Sequence, residues 1–389
     1  MTDLHDILNA YVADGTVPGA VGLVARGDRT EVAAVGSAGI AGAVPALAPM
    51  ARDSIFRIAS VSKPMTAAAV MTLVDDGRLT LDDPVVKWLP ELASPVVVRT
   101  PQSPVDDVVP AERPITVADL LDARAGYGFP SDFSLPAVAP LFAELKQGPP
   151  MPQHVPEPDT WMATLARIPL LRQPGEAWLY NTTSDIQGVL IARVAGRSLP
   201  EFLAERIFEP LGMRDTGFAV PPGDLGRFTG YYRADQPGGL QLVDAPDGQW
   251  SAEPAFPSGA GGLVSTADDL LAFARMLLGG GIDGSAGGRR VLSAESVRLM
   301  TTDRLTPAQR EESPLFLEGQ SWGFGGSVDV ASVEPWNVPG RYGWVGGTGT
   351  AAHIVPSTGA VTVLLTQREL AGPTTPELMR DFWRYAAGR

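Results

Sequence analysis

Two pairs of β-type runs lie at opposite ends of this chain, each beside a helical segment. Near the start, GAVGLVARGD (19–28) and TEVAAVGSAGI (30–40) meet at Gly27, Asp28 and Arg29, as in an antiparallel hairpin. Near the end, RYGWVGGTGTAAHIVP (341–356) and GAVTVLLTQ (359–367) form a second pair, joined through Pro356 to Gly359. Hairpins so far apart in sequence predict one antiparallel sheet that is assembled from both termini.

Helical patterns flank and separate these runs. The first helix carries Leu4, Ile7, Leu8 and Tyr11 on one side, and TTPELMRDFWRYAAG (374–388) closes the chain. We therefore expect an α+β fold, an α/β sandwich whose sheet is flanked by helices and interrupted by a mostly helical insertion. The predicted sheet domain is 1–80 plus 255–389, and the predicted insertion domain, with long loops, is 81–254.

Proline-rich connections punctuate the middle of the chain, for example residues 94–114 and 146–159. Long irregular loops in a compact protein often wall a binding site. The stretch GYGFPSDFSLPAVAPLF (126–142) adds apolar and aromatic side chains. We expect Tyr127 and Phe129 from this stretch to contact the substrate, with packing within the loop as the alternative.

Charge and composition exclude several classes of function. The formal net charge is −14 and the sequence contains no run of Lys or Arg, so a nucleic acid would be repelled. The chain has no cysteine, which excludes disulfides, thiolate metal sites and a thiol nucleophile. His5, His154 and His353 form no metal-binding spacing. We expect neither a metal nor a cofactor, and a small molecule as the partner.

The first residues lack the basic and apolar regions of a signal peptide, and no stretch of about 18 apolar residues occurs. We therefore expect a cytoplasmic protein without a membrane partner. The sequence does not define its oligomeric state.

A serine and a lysine stand three residues apart at the start of a predicted helix. The apolar pattern from Ala59 ends at Gly77, and Pro64 is tolerated only in a first turn, so the helix must begin close to Ser60. Ser60 and Lys63 then share one face. The helix N-terminus stabilises negative charge near the hydroxyl, while burial and the dipole disfavour the ammonium form of Lys63. A neutral lysine can accept the proton of the serine hydroxyl, and its loss converts a weak nucleophile into a strong one.

Three long stretches carry a family resemblance. IFRIASVSKPMTAAAVMTLVDDGRLTLDDPV (55–85), EPLGMRDTGF (209–218) and SGAGGLVSTADDLLAFARMLLGGG (258–281) resemble segments of the serine hydrolases of β-lactamase fold, whose nucleophile lies in an S-x-x-K element. The resemblance covers nearly the whole chain. It is closest to the branch that holds class C β-lactamases, DD-peptidases and β-lactamase-like carboxylesterases.

The resemblance implies a role for several residues. Ser60 would be the nucleophile, Lys63 its base, and Tyr180 of Tyr180-Asn181-Thr182, which is similar to the family's Y-x-N or Y-x-S, would share protons with both. Thr182 replaces the usual Asn or Ser of that element and is assigned to substrate binding.

The family's third element, K-T-G, is absent, and GWVGGTGT (343–350) occupies its place. Trp344-Val345-Gly346 resembles the W-G-G variant of the esterase branch, which assigns Trp344 and Gly346 to substrate binding. The backbone N–H groups of Ser60 and Gly347 would form the oxyanion hole. An aromatic wall in place of a lysine favours a neutral or apolar acyl group. A loop that usually reads H-T-S-G is DARAG (122–126) here, and its role stays open.

Together these features predict a serine hydrolase that acts on carboxylic esters through an acyl-enzyme. Alternatives on the same fold are a β-lactamase, a DD-peptidase or other amide hydrolase, and an acyltransferase. A non-catalytic binding homologue is a further alternative, but a binder needs no activated serine. No G-x-S-x-G occurs, which counts against an α/β-hydrolase.

Overall fold

The computed structural model describes residues 3–39, 48–235, 239–283 and 288–388. Residue 40, the last residue of the second predicted β-type run, lies outside these ranges. The helices are α1 Leu4–Ala13, α2 Ser62–Asp75, α3 Val117–Leu121, α4 Ala139–Ala143, α5 Pro158–Leu165, α6 Thr182–Ala195, α7 Leu199–Leu203, α8 Glu209–Leu211, α9 Ala267–Leu278, α10 Ala294–Met300, α11 Pro307–Glu311, α12 Pro314–Leu317 and α13 Glu377–Ala387. The strands are β1 Gly19–Arg26, β2 Arg29–Gly36, β3 Phe56–Arg57, β4 Val96–Val98, β5 Val108–Pro110, β6 Tyr231–Asp235, β7 Gly239–Asp244, β8 Val264–Ser265, β9 Ser321–Trp322, β10 Ser327–Val328, β11 Tyr342–Gly346, β12 Thr350–Val355 and β13 Ala360–Thr366.

Strands from the two ends of the chain form one antiparallel sheet in the order β2-β1-β13-β12-β11-β10-β9. The join between the termini is the β1–β13 ladder, in which Ala20 pairs with Thr366 and Arg26 with Ala360. Both strands are almost entirely buried, as expected for strands at the centre of a covered sheet. The predicted α+β architecture is therefore confirmed.

The third predicted run, residues 341–356, is two strands rather than one. β11 ends at Gly346 and β12 begins at Thr350, with the Gly349 N–H bonded to the Gly346 carbonyl at 3.0 Å. Gly349 has φ +86°, which glycine adopts without strain. The tight turn at residues 347–349 reverses the chain and places its backbone at one end of the sheet, where the candidate site lies.

Helices cover both faces of the sheet. α1 and α13 bury Leu4, Leu8 and Phe382 against β1 and its neighbours. Gly22 permits this contact, since a Cβ there would lie 2.8 Å from a methyl group of Leu8. Each buried leucine contributes about 2 kcal/mol of transfer free energy. α2 and α9 lie in the second, larger core, which includes side chains from β1, β12 and β13.

α2 is buried on nearly every side, from Ser62 to Leu73. A short 3-10 turn, Ala59–Val61, leads directly into it, so the prediction of a helix that begins close to Ser60 is confirmed. α2 and α6, the longest helices of the described ranges, have 14 residues each. In those ranges no helix combines the length and apolar character needed to cross a membrane.

The middle of the chain holds α3 to α8 and also two small hairpins, β4–β5 and β6–β7, which the helical periodicity did not predict. Their strands have three to six residues, too few for a clear alternation of apolar and polar side chains. The larger core is continuous from the sheet into this region. The division into domains at residues 80 and 254 stays a prediction.

Candidate active site

The segment before Ser60 is held between the main sheet and the loop that precedes β8. The carbonyls of Arg57 and Ile58 accept hydrogen bonds from the hydroxyls of Thr348 at 2.5 Å and Thr350 at 2.9 Å. On the other side, the Ile58 N–H donates to the Leu263 carbonyl at 3.0 Å. This double attachment fixes the position of the serine relative to both walls of the site.

Ala59, immediately before Ser60, has φ +44°. An alanine in the left-handed region is strained by roughly 1–3 kcal/mol, which the surrounding hydrogen bonds must offset. Backbone strain of this kind is common where a side chain must be presented at a sharp turn. The turn leaves Ser60 partly exposed at the start of the helix, facing a cavity.

Gly346 lies beside this turn, where neighbouring backbone atoms leave no room for a side chain. A Cβ at Gly346 would lie 2.3 Å from the Ile58 carbonyl oxygen, so only glycine lets β11 approach residue 58 so closely. The sequence prediction placed a ligand at this glycine, whereas the structure places the segment that carries Ser60 there. Gly346 lies outside the cavity lining.

Lys63 is buried and its Nζ atom contacts three oxygen atoms. The distances are 2.9 Å to Ser60 Oγ, 2.8 Å to Asn181 Oδ1 and 2.7 Å to the Ala260 carbonyl oxygen. The amide and carbonyl oxygens only accept hydrogen bonds, whereas a hydroxyl can also donate. A neutral amine has two N–H bonds for the two acceptors and one lone pair, which then faces the Ser60 hydroxyl. The contacts therefore fit the base form of Lys63, and the ammonium form can donate to all three oxygen atoms.

Electrostatics agree with this assignment. Burial lowers the pKa of Lys63 to about 7, although the negative charge of Asp185 opposes the shift. At neutral pH a large fraction of Lys63 is therefore uncharged, where an exposed lysine would be almost wholly protonated. The predicted lysine base has the environment that such a role requires.

Tyr180 stands over the same pair of groups. The Lys63 Nζ atom lies 4.6 Å from the centre of the Tyr180 ring, and the phenol is close enough to Ser60 for a hydrogen bond between the hydroxyls to lower its pKa. Burial dominates and raises the pKa of Tyr180 to about 12. The phenol thus keeps its proton at neutral pH, so Lys63 is the better base and Tyr180 is suited to passing a proton on.

Trp344 donates its indole N–H to the Tyr180 hydroxyl at 2.8 Å. Its ring also packs edge-on against Trp322, with centroids 4.7 Å apart, and the Phe316 ring lies 4.6 Å from the Tyr180 ring at a tilt of 31°. The sequence predicted Trp344 as an aromatic wall. The structure adds a polar function, because the indole N–H occupies one lone pair of the phenol oxygen.

Asn181 is a site residue that the sequence reasoning missed. It has φ +83° and ψ −65°, the geometry of a γ-turn, with the Thr182 N–H 3.2 Å from the Tyr180 carbonyl. This strained conformation turns the Asn181 amide toward Lys63. The middle position of the Y-x-N-like element therefore contacts Lys63, which the sequence did not predict.

Two residues predicted to bind substrate have other surroundings. Thr182 is fully buried and donates its hydroxyl to Gln147 Oε1 at 2.6 Å. Tyr127 is buried to 2% exposure in the larger core. Both lie outside the cavity lining, whereas Phe129, Trp344 and Gly347 belong to it.

A cavity of about 340 Å³ opens in front of Ser60. The predicted loop 146–159 supplies one wall with residues 146–152 and Val155, and the aromatic stretch 126–142 supplies Phe129, Phe133 and Phe142. Phe129 and Phe142 are stacked with centroids 4.7 Å apart, and Phe133 lies 5.9 Å from Phe316. The lining is therefore mainly aromatic and aliphatic beside the serine.

Gly347 is exposed at the end of β11 and lines this cavity with Ser60. In the ranges that the structure describes, its N–H has no protein hydrogen-bond acceptor, while its carbonyl accepts from the Leu370 N–H at 2.8 Å. The predicted oxyanion hole combines this free N–H of Gly347 with the N–H of Ser60, which lies in the turn that leads into α2. Its use in catalysis stays a prediction.

The DARAG loop supports the approach to Tyr180. The Ala123 carbonyl accepts from the Leu179 N–H at 2.9 Å, and the Gly126 carbonyl from the Leu171 N–H at 2.9 Å. Buried Asp122 forms an ion pair with Arg124 at 2.5 Å. The loop thus holds the strand-like segment that ends at the phenol.

The family model described as Beta-lactamase matches residues 4–381, nearly the full chain. The chain belongs to the beta-lactamase family. The resemblance stated from the three sequence segments is thereby confirmed.

Relatives of this beta-lactamase family member differ in how much is known of them. An uncharacterized protein of Mycobacterium tuberculosis (strain CDC 1551 / Oshkosh) is 41% identical over 329 residues, 82% of this chain and 79% of that protein. Esterase EstB of Burkholderia gladioli is 29% identical over 351 residues, 84% of this chain and 81% of that protein. The relatives of this beta-lactamase family member therefore include an esterase.

A solved structure agrees with the fold. EstCE1, described as a hydrolase with promiscuous acyltransferase activity, superposes with a TM-score of 0.78 and 24% sequence identity, over 98% of this chain and 97% of that one. At 24% identity this similarity is evidence for a shared fold.

Proposed function

We propose that this chain is a carboxylesterase that hydrolyses esters of neutral, apolar acyl groups through a serine-bound acyl-enzyme. The observation that carries the proposal is the set of contacts of Lys63, since two acceptor oxygens and one hydroxyl surround its amine. Such an amine can take the Ser60 proton directly. The aromatic cavity beside Ser60 supports the choice of substrate.

The reaction would proceed in two halves. Ser60 Oγ attacks the ester carbonyl as its proton passes to Lys63, and the negative charge on the carbonyl oxygen faces the N–H groups of Ser60 and Gly347. When the tetrahedral intermediate collapses, Tyr180 donates its proton to the leaving alkoxide and regains one from Lys63. Water then attacks the acyl-enzyme by the same steps in reverse and releases the acid.

The charges of the cavity favour neutral substrates. Lys146 is the cationic side chain of its lining as described, whereas Lys63 lies outside the lining and is engaged with Ser60. Lys146 is exposed at the rim and donates to the Ala143 carbonyl at 2.8 Å. Asp185 and Glu369 are acidic members of the same lining. A carboxylate such as that of a β-lactam would therefore find no dedicated cation beside Trp344.

The test compares an ester with a β-lactam. We expect kcat/KM for p-nitrophenyl butyrate to exceed that for nitrocefin by at least about 10²-fold, because a substrate carboxylate that lacks a partner in the site is disfavoured. Both substrates are followed spectrophotometrically with the parent and with Ser60→Ala. Rapid nitrocefin turnover, or equal ester hydrolysis by both proteins, would contradict the proposal.

A further inference from the structure

Asp185 is a buried carboxylate on α6, one helical turn beyond Asn181, and lines the cavity of Ser60. Its Oδ1 accepts hydrogen bonds from Ser258 Oγ at 2.6 Å and from the Ala260 N–H at 3.1 Å. Its Oδ2 accepts from Gln147 Nε2 at 3.2 Å. The steps proposed above use none of these contacts. A carboxylate that is 5% exposed carries a large desolvation cost, so its place beside the site calls for a function.

The contacts of Ala260 connect Asp185 to the base. The Ala260 N–H donates to Asp185, and its carbonyl accepts from Lys63 at 2.7 Å. The neighbouring Gly259 lies between α2 and α6. Its carbonyl accepts from the Thr66 hydroxyl of α2 at 2.8 Å, and a Cβ at this position would lie 2.4 Å from the Ser184 carbonyl oxygen of α6. Asp185 and Thr66 therefore both hold the segment 258–261, which supplies the backbone acceptor of Lys63.

Asp185 also acts on Lys63 through its charge. Burial lowers the pKa of Lys63, and Asp185 is the described charged group whose field opposes that shift. The other ionisable side chains of the lining are Tyr180, Tyr231, Lys146 and Glu369. Two of these are bonded elsewhere, Lys146 to the Ala143 carbonyl and Glu369 to Arg233. Burial raises the pKa of the Asp185 carboxyl, while Ser258, Ala260, Lys63 and Gln147 favour its charged form.

We propose that Asp185 is a positioning residue for Lys63, which fixes residues 258–261 and places a negative charge where it stabilises the ammonium formed when Ser60 loses its proton. The inference rests on the proposed function, because it assumes that Lys63 is the base for Ser60. In this role the carboxylate touches neither substrate nor reacting atoms.

The test is the pH dependence of Ser60 labelling by a fluorophosphonate, which reports serine reactivity independently of ester specificity. For the parent, the rate constant should rise with a midpoint near pH 7, where Lys63 becomes neutral. Asp185→Asn should move that midpoint lower by about one pH unit, because no negative charge then opposes the lowering of the Lys63 pKa by burial. Asparagine keeps the Oδ1 acceptor for Ser258 and Ala260, and a rotated Gln147 amide can accept from its Nδ2.

Ser258→Ala is the matched control without a change of charge. It removes one hydrogen bond to Asp185, so labelling should slow by about tenfold at every pH while the midpoint stays near that of the parent. Asp185→Glu keeps the charge but displaces it, so it should also slow labelling and retain the midpoint. A parent-like midpoint in folded Asp185→Asn would overturn the role of the charge. A parent-like rate in Asp185→Glu would overturn the positioning role even if Asp185→Asn failed to fold.

The same data separate this inference from the proposed function. A parent that labels at Ser60 but leaves p-nitrophenyl butyrate intact would contradict the proposed substrate, and its midpoints would still test Asp185. A parent that labels at Ser60 with no midpoint between pH 5 and 9 would contradict both Lys63 as base and the role of Asp185.

Discussion

Lys63→Met should reduce kcat/KM for p-nitrophenyl butyrate by about 10⁴-fold, the upper range for loss of a general base. Methionine has a similar length but cannot accept the Ser60 proton. It also leaves the Asn181 amide and the Ala260 carbonyl without the donor that both share in the parent. Initial rates at saturating and limiting substrate measure the effect. The loss should appear mainly in kcat, because the lysine acts on the serine rather than on the ester.

Lys87→Met is the control for this substitution. Lys87 has a half-exposed side chain and is paired with Asp83 on the surface, so its replacement should leave kcat/KM within about twofold of the parent. Circular dichroism spectra of both variants establish that they are folded. Activity of folded Lys63→Met comparable to that of Lys87→Met would rule out Lys63 as the base.

Tyr180→Phe should reduce kcat by about 10²- to 10³-fold, less than the loss of the base. Phenylalanine keeps the ring that packs against Phe316 and Lys63, but the proton donor for the leaving alkoxide is lost. The deficit should be larger for esters of poorly acidic alcohols than for p-nitrophenyl esters, because p-nitrophenolate leaves without protonation. A comparison of ethyl and p-nitrophenyl butyrate measures this difference.

Tyr11→Phe is the matched control, since its hydroxyl binds Asp381 between the terminal helices at 2.6 Å. It should show equal, parent-like rates with both esters. If Tyr180→Phe lowered the rates of ethyl and p-nitrophenyl butyrate by the same factor, a role of the phenol in protonating the leaving group would be contradicted.

The main sheet was predictable because the two strands of each hairpin lie close together in the sequence. Alternating or continuous apolar runs with a turn between them predict strands wherever they lie, and their position at both ends of the chain implied the shared sheet. The separation of β11 from β12 was not predicted, because residues 346–349 can continue a strand or reverse it. The small hairpins were missed since their strands are too short to show a period.

The site was predictable where the spacing itself carries the chemistry. Ser60 and Lys63 meet because three residues make nearly one helical turn, and Tyr180 followed from the family resemblance. The roles of Asn181 and Ala260 depend on a strained φ and on a backbone carbonyl, neither of which has a side-chain signature. Likewise, the hydrogen bond from Trp344 to the phenol depends on a rotamer, which the motif does not specify.

The reactivity of Ser60 can be measured directly by trapping it. We expect a fluorophosphonate to add one phosphonyl group to the parent at neutral pH, with peptide mapping by mass spectrometry locating the adduct on Ser60. Lys63→Met should be labelled far more slowly, and Ser60→Ala not at all. An adduct on another residue, or labelling of Ser60→Ala at the parent rate, would contradict the assignment of Ser60 as the nucleophile.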